Sequence, residues 1–304
     1  MIKVKPFLKW AGGKRQVLNE LESSFPPHIL ETKKIDLYVE PFVGGGALFF
    51  YLLSNYSVKK SIINDINQDL MLTYKVIKMF PEELIKKLDI IQTEYLKLDT
   101  EGKKEYFYKK LRTPYNQLKI DYKEENKETW TEKATLLIAL NKTCFNGLYR
   151  QNSRGEFNVP VGYYKNPKIL EEENLRNVSK LLQDTEILCG SYDSIKIPNG
   201  KKAFIYFDPP YRPLSTTSSF TKYSKVDFND EDQKKLANHF RKLDKEGHYL
   251  LLSNSDPTNT DENDLFFDKL YKGYHIQKIL AERFINSDSS KRKAIRELLI
   301  TNYR

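Results

Sequence analysis

The chain has 304 residues and a formal net charge of +9, and its hydrophobic content of 39% excludes a disordered chain. The excess of Lys and Arg favours a polyanionic partner, with nucleic acid first. The two cysteines, Cys144 and Cys189, lie far apart and the four histidines are scattered, which argues against a disulfide framework and a zinc site. No apolar run is long enough to span a membrane. We therefore expect a soluble cytoplasmic protein that needs no metal.

The amino-terminal elements predict a nucleoside site. Gly12-Gly13 permits a tight turn before a helix, and Lys14 beside it could hold an anion or simply face solvent. Residues 37–39 read as a strand, the glycines at 44–46 let the backbone approach a ligand, and residues 61–65 read as a second strand that ends in Asp65. A glycine loop followed by an acid at this spacing suits a nucleoside with its ribose hydroxyls. A dinucleotide fingerprint is absent.

Residues 66–135 are rich in Lys, Glu and Tyr, and their apolar residues recur with helical periodicity. We expect helices with solvated charged faces, interrupted near Gly102 and Pro114. Residues 135–140 are apolar apart from Thr135 and predict a helix that packs inward.

Residues 141–168 combine Asn, Arg and aromatic residues with the turn signals Asn146-Gly147 and Arg154-Gly155. The turns predict a hairpin. Arg suits guanine edges and phosphates, Asn suits adenine, and apolar groups suit the thymine methyl. A polar surface hairpin is the alternative, and the density of these residues favours nucleic-acid binding.

The segment from Phe204 to Tyr211 reads as a strand buried on both faces that stops at Asp208 and two prolines. Pro209 and Pro210 cannot continue a hydrogen-bonded ladder, so the corner presents one carboxylate, one free carbonyl and one aromatic ring. In an open α/β sheet, ligands bind at this carboxyl edge. An acceptor pair beside a ring suits a flat heterocycle that carries an amino group.

The remaining chain predicts further strands and helices. We expect a helix at 169–182, a strand at 186–188, a helix at 230–246, a buried strand at 249–254 and a helix at 262–272. Two closing strands are expected at 275–281 and 297–302. Residues 213–227 read as a loop over the site, and residues 286–292 read as a basic loop.

Five motifs in this order resemble the Dam-type DNA adenine-N6 methyltransferases of the D12 class and α-group, and are most similar to the GATC modification methylases of DpnII-type systems. The motifs are Phe7-Leu8-Lys9-Trp10-Ala11-Gly12-Gly13-Lys14, Glu40-Pro41-Phe42-Val43-Gly44-Gly45-Gly46, Phe145-Asn146-Gly147-Leu148-x-Arg150, Phe157-Asn158-Val159-Pro160 and Asp208-Pro209-Pro210-Tyr211. The resemblance implies an α/β, Rossmann-like sheet for S-adenosylmethionine, built from residues 1–75 and 186–304. It further implies an inserted, mainly helical DNA-recognition domain at 76–185 that carries a β-hairpin.

The resemblance also implies roles for individual residues. Asp208, Pro209, Pro210 and Tyr211 would be catalytic. The S-adenosylmethionine site would comprise Trp10, Lys14, Glu40, Phe42, Gly44, Gly46, Asp65 and Asp208. The contacts with double-stranded DNA would come from Lys9, Asn146, Leu148, Arg150, Asn158, Pro160 and Tyr164, with Arg150 on a guanine. Gly190-Ser191-Tyr192 stands where some relatives have Gly-Asp-Phe, so a cofactor role for Asp193 does not carry over.

The implied reaction is methyl transfer to N6 of an adenine flipped out of the duplex, in GATC, by a monomer that serves a restriction-modification system or acts as a Dam-like enzyme. Three alternatives remain open. The same chemistry could serve a longer site, cytosine N4 or RNA. The chain could be a DNA-binding relative without catalysis. A nucleotide-dependent oxidoreductase is disfavoured by the missing dinucleotide fingerprint.

Overall fold

The computed structural model describes residues 2–212, 228–281 and 295–304. The strands of this part are β1 (Lys34–Glu40), β2 (Ser57–Asp65), β3 (Thr185–Cys189), β4 (Phe204–Phe207), β5 (Tyr249–Ser255), β6 (His275–Ala281) and β7 (Ile295–Thr301). Its α-helices are α1 (Leu18–Ser23), α2 (Pro27–Thr32), α3 (Ala47–Asn55), α4 (Gln68–Met79), α5 (Pro81–Leu96), α6 (Thr100–Tyr106), α7 (Thr113–Gln117), α8 (Lys127–Thr143), α9 (Glu172–Leu181), α10 (Asp230–Lys245) and α11 (Phe266–Leu270). The loops predicted at 213–227 and 286–292 lie outside the described residues.

The strands form one sheet in the order β3-β2-β1-β4-β5-β7-β6. The pairings among β1 to β5 are parallel, and β7 runs antiparallel to both β5 and β6. The chain builds outward from β1 to β3 on one side and then returns to add β4 on the other side. The carboxyl ends of β1 and β4 therefore flank the point where the strand order reverses, which is the ligand position in open α/β sheets.

The central strand β4 buries both of its faces. Phe204 and Tyr206 belong to the apolar cluster on one face of the sheet, and Ile205 and Phe207 belong to the cluster on the opposite face. Alternating side chains thus meet two separate cores, which explains why this strand reads as a continuous apolar run. The α/β fold with a Rossmann-like sheet is confirmed.

The helical region between β2 and β3 shares its core with the sheet. Leu137 of α8 and Tyr38 of β1 belong to the same buried cluster. Helix α4 packs against α8 and also against β2 and β3. The predicted domain boundary between residues 75 and 76 falls inside α4, which continues to Met79.

The predicted helix break at Pro114 is wrong. Helix α6 continues through a wider π-helical stretch, Phe107–Arg112, directly into α7. Pro114 comes two residues after this π-helical stretch, so it lies inside a continuous helix to which it donates no N–H. The wider π-helical turn before it accommodates the missing bond. The predicted break near Gly102 lies just before Gly102, where α6 begins. The Asp99 carboxylate accepts a hydrogen bond from the Gly102 N–H and so caps the start of this helix.

The predicted hairpin at 141–168 forms without regular strands. Its two arms meet at isolated antiparallel bridges, Cys144 with Val161 and Gln151 with Phe157. The side chain of Asn116 in α7 replaces part of a ladder, since its Oδ1 accepts from the Phe157 N–H at 2.9 Å and its Nδ2 donates to the Phe157 carbonyl at 3.1 Å. A helix side chain therefore holds the arm that strand pairing would otherwise fix.

Truncation of the central strand tests this architecture. Ile205 is 1% exposed, so Ile205→Ala should lower the free energy of unfolding by about 2–5 kcal/mol through lost burial and a cavity. Lys34→Ala at the exposed start of β1 is the control and should stay within about 0.5 kcal/mol of the wild type. Chemical denaturation measures both. Equal stability of Ile205→Ala and the wild type would contradict the assignment of β4 to the centre.

Candidate active site

Asp208 follows β4 and is held by two groups from different parts of the chain. The Lys14 Nζ lies 2.9 Å from Asp208 Oδ1, and the Ser253 hydroxyl of β5 donates to the same oxygen at 2.9 Å. Ser253 also shares a hydrogen bond of 2.9 Å with the Tyr206 hydroxyl. Within the described residues no group donates to Asp208 Oδ2. The carboxylate is thus fixed through one oxygen, and its other oxygen remains open as an acceptor.

Lys14 lies inside the site and not in solvent. It is 7% exposed, and its Nζ donates to the Gly12 carbonyl at 3.0 Å. The same Nζ lies 4.5 Å from the centre of the Tyr211 ring. The Gly12-Gly13 turn therefore presents an ammonium group to the carboxylate and ring of the β4 corner. Contact between Lys14 and a cofactor remains a prediction.

Side chains of α10 and β5 fix the backbone at and after the two prolines. The Pro210 carbonyl accepts from Gln233 Nε2 of α10 at 3.1 Å, and Gln233 is fully buried. The Arg212 N–H donates to Asn254 Oδ1 at 3.2 Å. The Pro209 carbonyl accepts no hydrogen bond from the described part of the chain. It is therefore a second open acceptor beside Asp208.

Tyr211 and Arg212 continue the corner with fixed side chains. The Tyr211 hydroxyl donates to Glu297 Oε2 of β7 at 2.8 Å. Burial raises the pKa of Tyr211, and the Asp208 charge raises it further. The Arg212 guanidinium binds Asp230 and Asp264, with Nε 2.7 Å from Asp230 Oδ1. Sequence reasoning did not identify Glu297 or these two aspartates, because none of them is close to the corner along the chain.

The glycine loop after β1 is tied to Asp65 at the end of β2. The Gly44 N–H donates to Asp65 Oδ2 at 3.0 Å, and the Asn67 N–H donates to Oδ1 at 2.9 Å. Burial raises the pKa of Asp65, and these backbone donors oppose the rise. Each oxygen keeps a second lone pair, so the carboxylate can still accept from ligand hydroxyls. The next residue, Ile66, is 61% exposed at the same edge and was not predicted as a site residue.

Glu40 and Phe42 border the same edge. Glu40 is 2% exposed and accepts from the Tyr38 hydroxyl at 2.6 Å. Burial raises the pKa of Glu40 well above its usual range, against the lowering effect of that hydrogen bond. The ring of Phe42 packs against Tyr192 at 5.2 Å and against the edge of Phe228 at 6.1 Å. These rings form one apolar wall of the site.

The Trp10 side chain packs against the glycine loop. A Cβ added to Gly45 would lie 2.9 Å from the Trp10 Cβ, and one added to Gly44 would lie 3.0 Å from its Cδ1. The indole also stacks on Tyr149, with ring centres 4.9 Å apart and planes inclined by 23°. The absence of side chains at these glycines is what lets Trp10 approach.

The predicted DNA-contact residues lie on the hairpin and beside it. Asn146, Arg150, Pro160 and Tyr164 are exposed, whereas Leu148 and Asn158 are partly buried. The Arg150 Nε donates to Asn158 Oδ1 at 2.8 Å, so these two predicted residues contact each other. Asn146 adopts a left-handed conformation with φ of 55°.

Lys9 joins this surface from the amino-terminal segment. Its exposed side chain lies against Gly147, where an added Cβ would be 2.5 Å from the Lys9 Cδ. Two aromatic residues were not predicted as contacts, although Phe145 is 50% and Tyr163 is 77% exposed. Aromatic residues close to Asn and Arg in the sequence are the feature that sequence reasoning could have used.

The described ranges contain no helix long and apolar enough to cross a membrane. In the same ranges, no three or more His, Cys, Asp or Glu residues are grouped so that they could hold a metal ion.

An α/β sheet with an Asp-Pro-Pro-Tyr corner at the reversal of strand order defines a candidate methyl-transfer site. A family model of D12 class N6 adenine-specific DNA methyltransferases matches residues 10–285. The chain therefore belongs to this family, and the resemblance found in its motifs is confirmed. It follows that the chain is an adenine-N6 DNA methyltransferase, which uses a methyl donor.

Named relatives span nearly the whole chain. The type II methyltransferase M.MjaIII of Methanocaldococcus jannaschii is 53% identical over 303 residues, which cover 99% of this chain and 100% of the relative. The type II methyltransferase M1.LlaDCHI of Lactococcus lactis is 39% identical, with 99% and 96% covered. A DNA adenine methylase of Vibrio cholerae is 33% identical, with 98% and 96% covered.

The glycine loop yields a test with a matched control. Gly46 and Gly12 have similar φ angles of 71° and 75°, so alanine costs roughly 1–2 kcal/mol of backbone strain at either position. At Gly46 the new Cβ would also lie 2.6 Å from the buried Tyr74 hydroxyl, whereas at Gly12 no described atom lies within 4 Å. Gly46→Ala should therefore lose about 1–3 kcal/mol more stability than Gly12→Ala in chemical denaturation. Equal losses would show that the loop tolerates a side chain.

Proposed function

We propose that this methyltransferase transfers a methyl group from S-adenosylmethionine to N6 of an adenine flipped out of double-stranded GATC. The observation that carries the proposal is the β4 corner. There the open oxygen of Asp208, the open carbonyl of Pro209 and the ring of Tyr211 meet at the reversal of strand order. Two acceptors beside an aromatic ring match the amino edge and the face of adenine.

The residues of the corner have distinct roles in this account. Tyr211 stacks on the flipped base, and its hydroxyl bond to Glu297 fixes the ring. Asp208 Oδ2 and the Pro209 carbonyl accept the two amino hydrogens. These bonds draw the nitrogen lone pair out of conjugation with the ring and aim it at the methyl group. Lys14 and Ser253 keep Asp208 in place through Oδ1 while Oδ2 binds the amino group.

The carboxylate also supplies electrostatic stabilisation. Positive charge grows on N6 as the nitrogen is methylated, and the negative charge of Asp208 favours that charge distribution. The amino group becomes acidic only after it is methylated, so Asp208 need not remove a proton beforehand. One proton leaves N6 after the transfer, and S-adenosylhomocysteine is the second product. The fixed positions of the carboxylate, carbonyl and ring supply much of the remaining rate acceleration, since they hold the nitrogen in a reactive geometry.

S-adenosylmethionine supplies an electrophilic methyl group on a sulfonium. The site fits such a nucleoside-bearing molecule because Asp65 retains free lone pairs and Ile66 exposes an apolar side chain at the same edge. The proposed holding residues are Trp10, Lys14, Glu40, Phe42, Gly44, Gly46, Asp65 and Asp208.

Residues 76–185 are the proposed target-recognition region, with the hairpin as its reading surface. Arg150 is proposed to bind a guanine edge in the major groove, and its bond to Asn158 pre-orients the guanidinium. Leu148 supplies an apolar contact of the kind that a thymine methyl takes. The wider contact set comprises Lys9, Asn146, Asn158, Pro160 and Tyr164. A restriction endonuclease acting on the same site is the proposed functional companion, as in a restriction-modification system.

Removal of the carboxylate tests the chemistry. Asp208→Ala should lower tritiated methyl transfer to DNA by at least about 10²–10³-fold, because the amino group loses its acceptor and the growing charge loses its counterion. Binding of the target duplex should remain close to that of the wild type in a mobility-shift assay. Asp36→Ala, an exposed carboxylate of β1, is the control and should methylate normally. Full activity of Asp208→Ala would overturn the catalytic assignment.

Removal of Arg150 tests the reading of the target. Arg150→Ala should cost about 1–3 kcal/mol of discrimination at one base pair and relax the choice there. Competition binding against duplexes with each base pair changed in turn measures this cost. Arg154 is the matched control, because it is exposed at the hairpin tip and paired with Glu156, so Arg154→Ala should change discrimination little. An equal loss of affinity for all duplexes would make Arg150 a phosphate contact.

A further inference from the structure

Two segments with different proposed tasks are joined at one point of the structure. Asn141 of α8 is 2% exposed, and its Oδ1 accepts from the Lys9 N–H at 2.9 Å. Its Nδ2 donates to the carbonyls of Lys9 and Gly147, both at 2.9 Å. One buried amide therefore fixes the backbone that precedes Trp10 and the backbone that precedes Leu148.

The side chains that follow continue this connection. Tyr149 is 2% exposed and stacks on Trp10. The buried Tyr149 hydroxyl lies near Tyr115, Asn67 and Asp69 but makes no well-aligned hydrogen bond with a described residue. The ring is therefore held by packing and not by its polar group. This is a position where Phe would serve equally well and where a smaller side chain would not.

Tyr149 stands between the two residues proposed to read bases. Its buried ring points inward, whereas the flanking Arg150 is exposed and Leu148 is partly buried. Because the buried ring is packed against Trp10, it anchors the backbone that carries Leu148 and Arg150. On the opposite side of the stack, Trp10 lies against Gly44 and Gly45 of the cofactor loop. A continuous line of packed atoms thus runs from the reading residues to the cofactor loop.

We propose that Tyr149 is a positioning residue that sets Leu148 and Arg150 against the cofactor loop through Trp10, so that target discrimination and cofactor binding are coupled. The inference rests on the proposed function, which places Trp10 at the cofactor and Leu148 and Arg150 on the bases. Coupling between two sites is reciprocal, so a change at either end of the stack must be felt at the other.

Each variant is tested for binding at the site to which its substituted residue does not belong. Tyr149→Leu deletes the stack from the recognition side and should weaken S-adenosylhomocysteine binding about fivefold or more in calorimetry without DNA. Trp10→Leu deletes it from the cofactor side. In the absence of cofactor, Trp10→Leu should bind a duplex that carries the target sequence with less preference over a duplex with one changed base pair. The expected reduction of this preference is of similar size.

Two controls separate positioning from a general effect on folding. Tyr149→Phe keeps the stack and removes only the unbonded hydroxyl, so it should bind S-adenosylhomocysteine as the wild type does. Phe107→Leu truncates another fully buried ring of the helical region, which pairs with Tyr108 at 5.2 Å and not with Tyr149 or Trp10. It should also leave that affinity unchanged. Should Tyr149→Leu lack a thermal unfolding transition, Trp10→Leu decides, because Trp10 is only partly buried.

Wild-type cofactor affinity in Tyr149→Leu would overturn the proposal. An equal loss of cofactor affinity in Phe107→Leu would also overturn it, since that result would mark a generally loosened helical region and not a specific link. Failure of the GATC assignment is a separate result, because it appears in the wild type as unprotected GATC sites before any variant is compared.

Discussion

The ion pair between Lys14 and Asp208 is the interaction on which the site depends. A carboxylate that has left much of its water is costly unless it is paired and hydrogen-bonded, and Lys14 and Ser253 meet that need through one oxygen. The arrangement requires three segments to meet at one edge, namely the Gly12-Gly13 turn, the end of β4 and the end of β5. The order of the parallel strands supplies this meeting point, since β4 lies between β1 and β5. The two prolines then keep the strand from extending past it.

The helical region supports the site through side-chain amides. Asn116, Asn141 and Asn174 each accept from a backbone N–H and donate to a carbonyl of the same partner residue, which is Phe157, Lys9 and Lys5 respectively. Each amide therefore imitates one rung of a strand pairing. The hairpin and the amino-terminal segment gain fixed positions in this way without joining the sheet. This leaves their outward faces available for contacts with a large partner.

Local patterns in the sequence predicted most of the framework. Apolar runs bounded by glycines, acids or prolines located β1, β2, β4 and β5, because both faces of these strands are buried and their ends carry turn chemistry. Helix α11 is shorter than the predicted 262–272, since it covers only Phe266–Leu270. Pro114 misled because the π-helical stretch before it lets the helix continue past a proline, and the local sequence does not reveal where a helix widens.

The interior of the site was less predictable for a different reason. Ser253, Glu297 and Tyr149 are identified by contacts across long separations along the chain, and nothing in their own neighbourhoods distinguishes them from core residues. The partner of Lys14 is a similar case. The sequence indicated that this lysine follows a glycine turn, but only the assembled sheet brings Asp208 within 2.9 Å of it.

The central claim is that the β4 corner methylates adenine N6 within GATC. The most direct measurement is tritiated methyl transfer from S-adenosylmethionine to unmethylated plasmid DNA, followed by digestion with GATC-cutting enzymes of opposite sensitivity to adenine methylation. We expect that label is incorporated, that every GATC resists the enzyme blocked by methylation, and that every GATC is cut by the enzyme that requires methylation. Incorporated label without protection at GATC would contradict the proposed target, and absence of label from protein that binds the cofactor would contradict the catalytic role of the corner.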